Sequence, residues 1–143
     1  MRALAIAYEV PQLGGAPKQA MTIQVTSEKT IQALARIMAD EYSRRILLSG
    51  ASRAKTVEDF SREDNIPLST CYRRVNEMHK EGILVVERIV ISPEGKKSEL
   101  YRSGFRGVTI RMADGEMAIE ATVNEDIADK LYNMWSVMRW KES

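Results

Sequence analysis

Apolar positions recur along this chain with two periods, and the change from one to the other outlines the fold. Ile31, Leu34, Ile37 and Met38 fall at helical spacing behind Thr26 and Ser27, with Glu28 in the first turn, so a capped helix is predicted from about Ser27. After Ala39-Asp40 a second helix is expected from Glu41 to about Ser49, with Ile46 and Leu47 inward and Arg44 and Arg45 partly outward. Gly50-Ala51-Ser52 ends it. A third helix opens at Thr56, where Asp59 three residues on makes a short capping box and Val57 and Phe60 face the core. Asp64-Asn65 turns the chain into Ile66, and Pro67 suits the first turn of a new helix because no amide is needed there. Cys71, Val75 and Met78, at i, i+4 and i+7, mark the buried stripe of that fourth helix, which Gly82 stops.

Beyond Gly82 the pattern turns strand-like. Leu84–Ile91 is rich in Val and Ile and reads as a strand, 93–97 as a turn and 99–102 as the returning strand. A second hairpin follows, 108–112 and 117–123 about Ala113-Asp114-Gly115, where the Asp-Gly pair is the turn signal. Asn124 is the expected cap of a last helix, with Glu125 and Asp126 near its positive end and Arg139 and Lys141 at its negative end. Residues 1–20 lack a period and contain Pro11, Gly14-Gly15 and Pro17, the signature of a flexible arm, while Ile23 and Val25 suggest a short strand.

Thr56 to Gly82 is therefore a capped helix, a tight turn and a second helix, followed at once by a hairpin with a basic turn. That order is what a winged helix-turn-helix requires: a scaffold helix, a probe for the major groove and a hairpin for the flanking backbone. The expected fold class is α+β, a winged helix-turn-helix with an additional C-terminal β-hairpin and terminal helices for dimerisation. Its divisions are an arm over 1–26, a DNA-binding domain over 27–104, and a hairpin with a dimerisation helix over 105–143.

The remaining composition narrows the function. At 143 residues, 44% hydrophobic and 29% charged, the chain suits one soluble domain, and no apolar run approaches the ~18 residues of a membrane helix. The opening apolar stretch is too short for a signal peptide, so a cytoplasmic location is expected. One Cys excludes an internal disulfide, and neither a CxxC nor a Cys/His cluster exists to hold zinc, so no metal or other cofactor is expected. Cys71 and the single His79 lie on one helix at different angles and form no triad, and no phosphate-binding Gly loop is present, so an enzyme is not expected. The net charge of +1 hides a division: residues 44–106 hold thirteen basic against nine acidic side chains, residues 107–143 four against seven. A polyanion would meet the middle of the chain.

With Cys71, Val75 and Met78 as the anchor, the opposite face of the helix at about 67–81 offers Ser69, Thr70, Tyr72, Arg73 and Asn76. Arg73 is the candidate for a bidentate guanine contact, and Ser69, Thr70 and Arg74 suit phosphate. Lys96 and Lys97 at the tip of the hairpin, about 84–102, would reach an adjacent phosphate, and Arg44, Arg53 and Lys55 are further candidates for the DNA backbone. The plainer interpretation is that these are solvated faces. Cys71, on the buried face, is expected to act as a small apolar residue, not a redox switch. The stripes Ile31/Leu34/Ile37/Met38 and Leu131/Met134/Trp135/Met138 either close the monomer core or pair with a second copy, and two Trp within the last nine residues favour a homodimer.

Residues 38–47, MADEYSRRIL, resemble the "L-x-D-x-x-R-R-x-I-L" helix of ArsR-type winged-helix regulators, and 66–75, IPLSTCYRRV, resemble their recognition helix, particularly in archaeal members. The likeness covers about residues 30–104. It implies a homodimer that binds double-stranded operator DNA. The chain departs from the metal-sensing branch, having no cysteine pair in the helix before the turn. The expected function is a sequence-specific transcriptional regulator; the alternative is a winged-helix protein-interaction module without DNA binding, which the acidic, Trp-bearing C-terminus keeps open.

Overall fold

Local hydrogen bonding starts the first three helices at side-chain caps. The computed structural model describes residues 21–142, with side chains as far as Met138. Ser27 caps α1 (Glu28–Ala39) by accepting from the Thr30 amide. Asp40 both ends α1 and caps α2 (Glu41–Ser49), its carboxylate accepting from the Ser43 amide and hydroxyl at 2.8 Å each. Thr56 and Asp59 form a full capping box at the head of α3 (Val57–Glu63). Pro67, expected in the first turn of α4 (Leu68–Lys80), stands instead at its N-cap position and supplies no side-chain hydrogen bond to that turn.

The strands form two antiparallel sheets. β1 (Met21–Val25) lies beside β5 (Glu116–Val123), which in turn pairs with β4 (Phe105–Ala113), giving the order β1-β5-β4. β2 (Leu84–Ile91) and β3 (Lys97–Ser103) make a separate hairpin. Lys55, between α2 and α3, adds a single rung to its far edge through two backbone bonds with Tyr101, 3.0 and 2.8 Å. The β4–β5 turn is the expected Asp-Gly one: Asp114 and Gly115 have φ of 54° and 79°, as a two-residue I′ turn demands. A short 3₁₀ turn (Glu125–Ile127), capped by Asn124, leads into α5 (Ala128–Glu142), so the cap lies one turn ahead of the α-helix proper.

One contiguous core joins all of these elements. Leu34 of α1, Ile46 of α2, Phe60 of α3, Val75 of α4, Leu84 of β2, Phe105 of β4, Val123 of β5 and Leu131 of α5 are packed in the same buried cluster. Three expectations change as a result. Residues 105–138 do not stand apart from 27–104, since Phe105, Ile119, Val123 and Leu131 complete the shared core. Leu34 and Leu131, expected at a dimer interface, are both 0% exposed within the chain's own interior, because the apolar faces of α1 and α5 turn inward. Ile31, Met134 and Trp135, assigned to the same apolar stripes, are half-buried and pack against that core from its edge. Met134 follows Leu131 by three residues on α5, so the turn that buries Leu131 also brings Met134 against the edge of the core. The expected arm over 1–26 is also too long, because residues 21–25 are a strand. Residues 1–20, and the side chains of Arg139, Trp140 and Lys141, lie outside the described residues.

Gly82 and Gly104 both make room for α5, a Cβ at Gly104 standing 2.6 Å from Leu131 Cδ1. At Gly82 the φ of 79° ends α4, and a Cβ there would stand 3.0 Å from Met138 Sδ and 3.1 Å from Trp135 Nε1. The missing side chain lets α5 come close enough for the Trp135 indole to donate to the Gly82 carbonyl at 2.8 Å. Among the described residues no helix is long and apolar enough to cross a membrane.

Candidate functional site

α4 is anchored along its inner face. Cys71, Val75 and Met78 are buried as their spacing predicts, and Cys71 Sγ lies 3.5 Å from the Val57 carbonyl of α3. The turn between α3 and α4 is fixed by tertiary bonds. Ser49 Oγ donates to Asp64 Oδ2 at 2.6 Å, Arg45 to the Asp64 carbonyl at 3.0 Å, and Ser61 Oγ to the Ile66 carbonyl at 2.6 Å. Asn65 takes up the sharp bend at φ 56°, a conformation its short polar side chain tolerates better than most.

On the outer face Ser69, Tyr72, Arg73 and Asn76 are exposed together, and Thr70 is half-buried beside them. Arg73 has no hydrogen-bond or ion-pair partner among the described residues. Across from this face stands the β2–β3 turn, closed by Ser92 Oγ accepting from the Lys96 amide at 3.0 Å, with Gly95 at φ 88°. Lys96 and Lys97 are both exposed there. Between helix and hairpin lies a cleft of about 370 Å³ walled by Glu58, Tyr72, Asn76, Lys96, Lys97 and Glu99. Four of the residues expected to meet DNA thus converge on one concavity, with Arg73 on the adjoining helix face.

Two carboxylates in that cleft were not anticipated from sequence. The Tyr72 hydroxyl donates to Glu58 Oε2 at 2.6 Å, and this bond, with the charge of Lys96 as a lesser cause, holds Glu58 below the usual carboxylate range. The same bond raises the Tyr72 phenol. Glu99 accepts from Tyr101 at 3.1 Å; burial first, then Glu99, pushes the Tyr101 phenol up to about 12. Glu58 and Tyr72 are fourteen residues apart, so only the folded chain brings them together.

Four other candidates are engaged within the protein. Arg74 donates through Nε and Nη2 to the two carboxylate oxygens of Asp40, at 2.9 and 3.1 Å, so it braces α4 against the α1–α2 corner. Lys55 is buried, ion-paired to Glu63 at 3.0 Å and 5.6 Å from the Phe60 ring centre, and offers nothing to a phosphate. Arg53 Nη2 donates to both oxygens of the same Glu63, at 2.6 and 2.5 Å. Arg44 is exposed but donates to the Met38 carbonyl at 2.5 Å. The cause is common to all: a cation predicted on an open face finds a carboxylate or carbonyl that the fold brings alongside.

Cys71 is buried, and desolvation, with Asp64 and Glu58 nearby, pushes its thiol up to about 11. His79 packs edge-on to Tyr101, ring centres 5.6 Å apart. Among the described residues no group of three His, Cys, Asp or Glu is placed to hold a metal ion. No protein-family model and no curated protein matches the chain.

Proposed function

We propose that this chain is a winged helix-turn-helix regulator that binds double-stranded DNA, with α4 entering the major groove and the β2–β3 hairpin resting on the flanking backbone. The observation that carries the reading is the unpaired Arg73 on the outer face of α4, with Ser69, Tyr72 and Asn76 around it and Lys96 and Lys97 across the cleft. Arg73 supplies the bidentate donor that reads guanine; the two lysines supply the counterion-releasing contacts. The rung between Lys55 and Tyr101 supports the same reading, because it gives the hairpin the third-strand contact of a winged helix. Kinship with ArsR-type regulators and homodimerisation belong to the proposal on the strength of residues 38–47 and 66–75.

Fluorescence anisotropy with a mixed-sequence duplex at low and moderate salt tests it. Binding with a clear salt slope that Arg73→Ala and Lys96→Ala/Lys97→Ala both weaken supports DNA recognition. Absence of binding even at low salt rejects it.

The second reading, a module that docks protein, is favoured by Ile89, Val90 and Ile91, exposed at 48%, 46% and 68% on β2, and by the Glu58 and Glu99 carboxylates in the cleft. It predicts no salt-sensitive DNA binding and a hairpin whose apolar strand is covered by a partner.

A further inference from the structure

A second concavity lies away from the α4 outer face, where β1, the first turn of α1, the end of α4 and the inner side of α5 meet. Its volume is about 570 Å³, within the range of sites that take small organic molecules. The wall divides by chemistry. Ile23, Phe105, Trp135 and Met138 form an apolar side, with the Phe105 and Trp135 ring centres 5.7 Å apart. Lys29, Arg36 and Lys80 also line the concavity, with one carboxylate, Glu81, which pairs with Arg36.

The geometry points to a binding site for a small amphipathic anion: an aromatic or branched apolar body against Trp135, Phe105 and Met138, with a carboxylate toward Lys80 and Arg36. Three cations against one carboxylate leave the lining net positive, which an uncharged ligand would not answer and a cation would meet with repulsion; a purely inorganic anion would leave the aromatic residues wet. A bicyclic monocarboxylate satisfies both halves and fits the volume. The site shares no residue with the cleft at Lys96 and Lys97, and its existence does not depend on DNA binding.

The test is an NMR titration of the full ¹⁵N-labelled chain with 2-naphthoate, using 2-naphthalenemethanol as the uncharged match. Saturable shifts are expected at the Trp135 indole N–H, the Gly82 amide and the amides of residues 26–30, with the alcohol about tenfold weaker, the usual scale of one charge-assisted contact. Lys80→Gln, at an exposed position that leaves the core intact, and Arg36→Gln should each weaken naphthoate severalfold and leave the alcohol unchanged. Any of three results overturns the proposal: no localised shifts at millimolar naphthoate, equal binding of acid and alcohol, or affinity unmoved by both substitutions. None of these bears on DNA binding, so the two readings fail separately.

Discussion

Arg74 and Asp40 form a two-pronged ion pair across thirty-four residues of sequence, and it links the exposed helix to the corner on which α1 and α2 meet. Asp40 already caps α2 through Ser43, so one carboxylate serves a helix start and a tertiary brace together. Arg73, its neighbour, points outward with no partner among the described residues. Adjacent arginines of one helix thus hold opposite roles.

That contrast is directly testable. Arg74→Ala should lower stability by about 1–2 kcal/mol, the worth of a partly buried bidentate pair after solvent screening, seen as a drop in the urea midpoint at constant slope. Arg73→Ala should leave the midpoint within about 0.5 kcal/mol and weaken DNA by about 1–3 kcal/mol. A stable Arg74→Ala would remove the bracing role.

The same pair sets an acid response. The Arg74 hydrogen bond, against a desolvation cost and with help from Ser43, lowers Asp40 from its ordinary 3.8 to about 2. A depressed carboxylate contributes its stability above the unfolded pKa and loses it as pH falls through the folded value. The contribution should be complete above about pH 5 and mostly gone by pH 2. Asp40→Asn should therefore be less stable than wild type at pH 7, and the gap in melting temperature should narrow steadily from pH 5 to pH 2. A constant gap would show that the Asp40 charge is not the cause.

Asn124 is a third test, on a polar group buried in the core. Its side-chain amide donates to the Ala51 carbonyl at 3.1 Å and to the Ser103 carbonyl at 2.9 Å, and its oxygen accepts from the Asp126 amide at 3.2 Å. Asn124→Ala removes the side-chain donor of the Ser103 carbonyl and leaves the Ala51 carbonyl to Arg102 alone, so a loss of about 1–3 kcal/mol is expected in chemical denaturation. A loss below about 1 kcal/mol would mean that water takes the place of the amide.

Cys71 should be inert in the folded state. With its thiol at about 11, only ~0.1% is thiolate at pH 8, and the side chain is fully covered. Ellman's reagent should react only at the rate of unfolding and at full speed in denaturant. Rapid reaction of the native chain would reopen a redox role.

The proposed homodimer has less apolar surface to use than the sequence suggests, with Leu34 and Leu131 enclosed and Ile31, Met134 and Trp135 already packed on the chain's own core. On α1 Met38 is still 39% exposed, so Met38→Glu should convert a dimer to the 16.2 kDa monomer in light scattering. A wild type that is already monomeric removes this part of the proposal.

The helices were legible because their signals are local. Thr56 with Asp59, Ser27 with Glu28, and the Cys71/Val75/Met78 spacing all act within two turns. The Asp114-Gly115 turn was legible for the same reason. What sequence could not disclose was pairing at a distance: Arg53 and Lys55 with Glu63, Arg74 with Asp40, and Glu58 under Tyr72. Each changes which charges are left free for a partner, and each depends on how elements distant in sequence meet. The inward turn of Leu34, Leu131 and Met134 was hidden likewise, since an apolar helix stripe looks alike whether it covers its own core or another chain's.

The pairing of β1 with β5 has a consequence in time. Met21 lies opposite Val123, so the strand's partner is made only after about a hundred further residues leave the ribosome. At roughly 5–20 residues per second that is about 5–20 s. Over that interval α1 to α4 and the first hairpin can consolidate from short-range contacts, while residues 21–25 wait with both strand edges bare. The sheet is sealed late, by the strand that emerges ahead of the other two.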